Sequence, residues 1–123
     1  MEINEKVQKF LDGVVEDNKK KLMGIAMDVG HYKSILAETD LAKFREDLSE
    51  EKAKYELNKK GKPSKFIGDK DKIKEYEAVI DKMEDIKLKI SNLEAITHDV
   101  NKYIKYIQNV DDETIKNLNE ASE

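Results

Sequence analysis

The chain has 123 residues, 38% hydrophobic and 41% charged, with 7% aromatic side chains and a net charge of −4, one domain's worth of chain and short for a sizeable core. With no cysteine and no tryptophan, it excludes disulfides, thiolate metal sites and a cysteine nucleophile, and offers little to line a deep aromatic pocket. No apolar run approaches the ~20 residues that cross a bilayer, and Met1-Glu2-Ile3-Asn4-Glu5 lacks a basic-then-apolar leader pattern, so a cytoplasmic protein with no membrane partner is expected.

The first apolar pattern uses Leu11, Val15, Leu22, Ile25, Val29, Tyr32 and Leu36, with Val7 and Val14 beside it. It predicts a helix over about 4–37. Gly13, Gly24 and Gly30 each weaken that helix by ~1 kcal/mol relative to alanine. Asn18 occupies the seam between Val15 and Leu22, either as a solvated gap or as a polar position that fixes register with a partner.

Leu41, Phe44 and Leu48 form a separate stripe. The five-residue step from Leu36 to Leu41 turns the apolar face by about 140° at 100° per residue. A break or kink is therefore expected near Glu38-Thr39-Asp40, with Thr39 as cap of a second helix over about 40–59. Residues 60–68 (Lys-Gly-Lys-Pro-Ser-Lys-Phe-Ile-Gly) read as a basic loop, because Pro63 disfavours helix before it and glycines stand at both sides.

The helix expected over about 70–110, capped by Asp69 or Asp71, carries the strongest signal in the chain. With Tyr76 at heptad position a, the a positions are Tyr76, Met83, Ile90, Thr97 and Ile104, and the d positions are Val79, Ile86, Leu93, Val100 and Ile107. Alternating steps of three and four place one stripe on one face, which another helix must cover. Towards its carboxyl end the stripe widens, because the g positions Ile96, Tyr103 and Val110 are also apolar; a third segment or a second chain is expected there. A parallel homodimer is weakly encoded, since Lys82 would oppose Lys87 while Lys89 would meet Glu94. Residues 111–123 form an acidic end, with Ile115 and Leu118 marking a short last turn before fraying. The expected class is all-α: an elongated antiparallel helical hairpin or three-helix bundle with coiled-coil-like packing in a single domain.

Chemistry has few places to reside. His31 and His98 fall on outward helix positions, and no Ser-His-Asp pattern is legible. The pairs Glu46/Glu50 and Asp47/Glu51 have the i,i+4 spacing that could hold a divalent cation, but Lys43, Arg45 and Lys54 are near enough to make them a wet, ion-paired face. Between Lys52 and Lys74 stand nine lysines against Glu56, Asp69 and Asp71, a basic tip. Its Gly61-Lys62-Pro63-Ser64 lacks the upstream glycine of a phosphate loop, and proline stands where the phosphate-binding backbone must lie, so nucleotide binding is discarded. Phe66 and Ile67 are the bulky apolar residues of that tip: either a plug closing the end of the bundle or an apolar anchor in a basic rim. The opposite charges of tip and acidic end would also permit salt-sensitive head-to-tail association.

No catalytic, metal or cofactor site is expected, nor a small-molecule substrate. The first-ranked function is a non-catalytic protein–protein interaction module, an adaptor, inhibitor or assembly factor of a cell or a phage. Its partner is another protein or a second copy, met through Lys59, Lys60, Lys62, Lys65, Phe66, Ile67, Leu88 and Tyr106. A nucleic-acid-associated factor using the tip lysines ranks second, weakened by Arg45 being the single arginine, since bidentate base contacts favour that residue. An all-α metal-dependent hydrolase ranks third.

Overall fold

The computed structural model describes residues 2–123. The described chain is mostly helical, with one small antiparallel sheet, in the order α1 (Glu5–Glu38), α2 (Leu41–Lys52), β1 (Tyr55–Leu57), β2 (Pro63–Phe66), α3 (Lys70–Gln108) and α4 (Asp112–Ala121). No helix among the described residues is long and apolar enough to cross a membrane. The chain divides into two compact units, and α1 and α3 each contribute to both.

The first unit holds the amino-terminal residues through Gly30 together with Ser91–Glu123. Asn4 starts α1 by accepting the Val7 N–H on its side-chain oxygen at 2.9 Å, which satisfies an otherwise orphaned helix donor. Val7, Leu11, Val15 and Ile25 are buried, as are Ile104 of α3 and Ile115 of α4. Asn18 is half-buried and donates its amide to the Val14 carbonyl at 2.8 Å. The seam asparagine is thus satisfied within its own helix.

The acidic end is not the short, frayed turn expected from the sequence. It forms the ten-residue helix α4, capped by Asp111, whose carboxylate accepts the Thr114 N–H at 2.7 Å. That bond holds the Asp111 carboxyl below its ordinary pKa. α4 is tied to the amino terminus by a clamp: Asn119 accepts the Asn4 N–H at 3.0 Å and donates to the Glu2 carbonyl at 2.9 Å. The Asn4 amide donates to the Ser122 hydroxyl at 2.6 Å. Hydrogen bonds so distant in sequence leave no local pattern to read.

The second unit is His31–Ile90. The chain breaks between α1 and α2 at Thr39-Asp40, but the cap is Asp40, which accepts the Lys43 N–H at 3.0 Å. Thr39 instead donates its hydroxyl back to the Ile35 carbonyl at 3.0 Å, closing the end of α1. Phe44 of α2 meets Tyr76 of α3 edge to face, centroids 6.1 Å apart. Arg45 pairs with Glu84, and Lys52 with Glu77 at 3.1 Å.

The second helix does not extend over 40–59. It stops at Lys52, and residues 55–66 form a β-hairpin in place of helix and loop. Tyr55 pairs with Phe66, Glu56 with Lys65, and Leu57 with Pro63, with an irregularity after Glu56. The reason is turn chemistry. Gly61 donates to the Asn58 carbonyl at 2.9 Å and Asn58 donates to the Lys62 carbonyl at 2.8 Å. The Asn58 side chain accepts from both Lys60 and Lys62 N–H groups. Gly61 has φ +75°, the left-handed conformation that closes a three-residue hairpin loop and that a side chain would strain.

On α3, Met83, Ile86, Ile90 and Ile104 are buried, and the other six heptad positions from Tyr76 to Ile107 are half-buried. None of the ten is exposed. The widened face is different: Ile96 and Tyr103 are 44% and 47% exposed.

Candidate functional site

The basic tip is the hairpin, and its placement depends on Glu51. Leu41, Phe44, Leu48 and Glu51 follow one another at steps of three, four and three, so Glu51 occupies an inward position on α2. It is the buried charged residue of the described chain, 5% exposed. One carboxylate oxygen accepts the Asp69 N–H at 2.6 Å, and the other takes the Lys54 ammonium at 2.8 Å. The Lys54 hydrogen bond first, and the Asp69 N–H next, hold the Glu51 carboxyl below its ordinary pKa; the same pair raises that of Lys54. Asp69 then caps α3, accepting from the Asp71 and Lys72 N–H groups at 2.9 and 3.2 Å. One buried acid therefore joins the end of α2 to the start of α3.

Two further contacts fix the hairpin to this junction. Ile67 N–H donates to the Lys54 carbonyl at 3.1 Å, and the Phe66 ring meets Tyr55 at 5.4 Å in an edge-on arrangement. Gly68 lies so close to the Phe66 ring and the Glu51 carbonyl that an added Cβ would sit 2.5 Å from that oxygen. A residue with a side chain does not fit.

The exposed surface of the tip carries Lys59, Lys60, Lys62 and Lys65. None of the four enters an ion pair among the described residues, whereas Lys52 and Lys54 have acidic partners. Of the tip's apolar side chains, Leu57 is 66% exposed, Ile67 52% and Tyr55 45%. Phe66 is half-buried and anchors the hairpin, while its neighbour Ile67 points apolar surface to water. The pair expected to act together is thus divided between support and display.

No family model, curated protein or solved structure matches this chain.

What the chain does must be read from its own surface. Leu88 and Tyr106, on α3 in the second and first units respectively, are 59% and 60% exposed. His31 and His98 are exposed. Glu46 and Glu50 are exposed, Asp47 sits 3.9 Å from Lys43, and Glu51 faces Asp69 and Lys54. Among the described residues no group of three or more histidines and acids is placed to hold a metal ion.

Three features lay outside the sequence expectations. Tyr55 and Leu57 sit where helix was expected, although the alternation Tyr-Glu-Leu before Asn-Lys-Lys-Gly was the available signal. Glu51 resembled its solvated neighbours. Within the first unit, a cleft of about 270 Å³ has a mixed lining that includes Leu11, Val15 and Ile115 together with Gln8, Asp12 and Gln108. A shallower groove there runs past Val7, the 62%-exposed Phe10 and Leu118.

Proposed function

We propose that this chain is a non-catalytic protein–protein interaction module, an adaptor, inhibitor or assembly factor, whose principal docking element is the hairpin tip. One observation carries the reading: exposed Tyr55 and Leu57 share one face of a hairpin whose Lys59, Lys60, Lys62 and Lys65 enter no ion pair among the described residues, and Ile67 is exposed just past β2. An apolar group bordered by charge is how interface hot spots are built, the rim excluding water from the anchor. Exposed Leu88 and Tyr106 are secondary contact points on α3. In this reading the heptad face of α3 packs in a coiled-coil-like manner against helical neighbours, supported by its ten positions being buried or half-buried.

The test is a tagged pull-down from a nuclease-treated lysate, comparing wild type with Leu57→Ser/Ile67→Ser; both positions are exposed, so the helices should be unaffected and circular dichroism should confirm it. A stoichiometric protein lost only with the variant supports the reading. Absence of any protein partner, in both chains and without self-association, refutes it. The same four lysines favour a second reading, a nucleic-acid-associated factor. That reading requires binding to survive in purified components and to fall with salt at a log–log slope of about −3 to −4 for four phosphate contacts.

A further inference from the structure

Building on the interaction-module reading, we infer that the hairpin captures its partner by strand addition: an extended, acidic segment of another protein pairs with the open edge of β1. The hydrogen-bond pattern identifies that edge. Lys54 accepts from Ile67, Glu56 lies opposite Lys65, and Asn58 donates to Lys62. Residues 54, 56 and 58 therefore turn their backbone groups towards β2. By the alternation of an antiparallel ladder, Tyr55 and Leu57 turn theirs away from it.

Among the described residues the sheet has two strands, and no third strand there satisfies those N–H and C=O groups. The far edge is blunted, because Pro63 in β2 has no N–H to offer. β1 has no such block. A two-stranded hairpin is also marginal by itself in water, so a third strand brings pairing that the free chain lacks.

The occupant follows from charge and backbone together. The lysine border calls for an acidic partner. Donors and acceptors alternating along one edge are matched by another polypeptide backbone, whereas a phosphate chain could use only the donors. A second copy pairing β1 antiparallel to β1 about its middle residue would set the two Glu56 carboxylates side by side. The chain's own acidic end is unsuited, since Asp112–Ala121 is helical. Tyr55 and Leu57 project to one face of β1 and Glu56 to the other, and Glu56 lies beside Lys65. The fitting segment therefore sets apolar residues beside Tyr55 and Leu57 and a neutral or basic residue beside Glu56, and carries its Asp or Glu residues at the end that reaches Lys59 and Lys60.

The test uses the full chain against a display library of random unstructured peptides, followed by amide hydrogen exchange on the complex. The expected outcome is enrichment of peptides with apolar residues at alternate positions and acidic residues clustered at one end. Their binding should slow exchange at Tyr55 and Leu57 by about tenfold or more. A version N-methylated at the pairing positions should lose binding while keeping its charge. Enriched peptides that protect other amides, or that tolerate N-methylation, overturn strand addition while leaving an interaction module standing. No enriched peptide, with an oligothymidylate binding the tip instead, overturns both readings; in that case the lysines serve nucleic acid. No binding of either kind assigns the lysines to guarding an edge strand from aggregation, and the inference fails.

Discussion

Two glycine-to-alanine substitutions in this chain should have opposite signs, because one glycine is required by its surroundings and the other is not. At Gly68 an added Cβ would lie 2.5 Å from the Glu51 carbonyl oxygen and press on the Phe66 ring. The ring could swing aside only by leaving Tyr55, whose edge-on contact is worth about 0.5–1.5 kcal/mol. The carbonyl cannot yield easily, since its residue is held through its side chain to Asp69 and Lys54. Overpacking of this kind costs about 1–3 kcal/mol. For a chain of 123 residues that corresponds to a Tm lower by about 4–12 °C. At Gly13, by contrast, nothing lies within 4 Å of an added Cβ on a helical, exposed position. Gly13→Ala should stabilise by about 0.5–1 kcal/mol through helix propensity and a less flexible unfolded chain. Thermal and urea denaturation followed by circular dichroism would measure both. A Gly68→Ala protein as stable as wild type would refute the packing described at the junction of α2, the hairpin and α3.

Other substitutions separate covered from uncovered positions. Ile86→Ala, at a buried heptad position, should cost about 2–5 kcal/mol in urea unfolding. Leu88→Ala, 59% exposed on the same helix, should stay within about 0.5 kcal/mol of wild type. Because the Glu51 carboxyl is held below its ordinary 4.5, its contribution is present above that value and is lost as pH falls through the folded-state pKa. Glu51→Gln should therefore lower Tm at neutral pH, with the gap to wild type closing in acid; a gap independent of pH would rule out the charged clamp. Asn119→Ala removes the bonds to Asn4 and Glu2. At about 1 kcal/mol each, their loss should speed amide exchange in α4 by roughly five- to thirtyfold.

The helices were legible where the signal was long and periodic. Ten heptad positions over α3 identify one covered face, and the five-residue step from Leu36 to Leu41 marks the break that falls at Thr39-Asp40. The tip was not, for physical reasons. β1 is three residues long, too short for alternation to compete with the helix-compatible run before it. Pairing is instead specified by Asn58 and Gly61, whose roles depend on hydrogen bonds across the turn. Glu51 held an inward position in the stripe, but its compensating donor, the Asp69 N–H, lies eighteen residues away. A charge becomes tolerable in such a place only once the chain has folded back. The lysines of the site were visible in the sequence, whereas Tyr55 and Leu57 required the hairpin to bring them beside those lysines.

The proposed docking surface exists only if residues 55–66 are a hairpin in solution. The most direct test is NMR of the free, isotopically labelled chain. The account predicts a cross-strand contact between the α-protons of Tyr55 and Phe66, which face each other in the ladder, and slow exchange of the Ile67 amide bonded to Lys54. Strong sequential amide–amide contacts running unbroken from Leu41 through Lys59 would show a continued helix instead, and would remove the open edge and the apolar surface on which the functional reading stands.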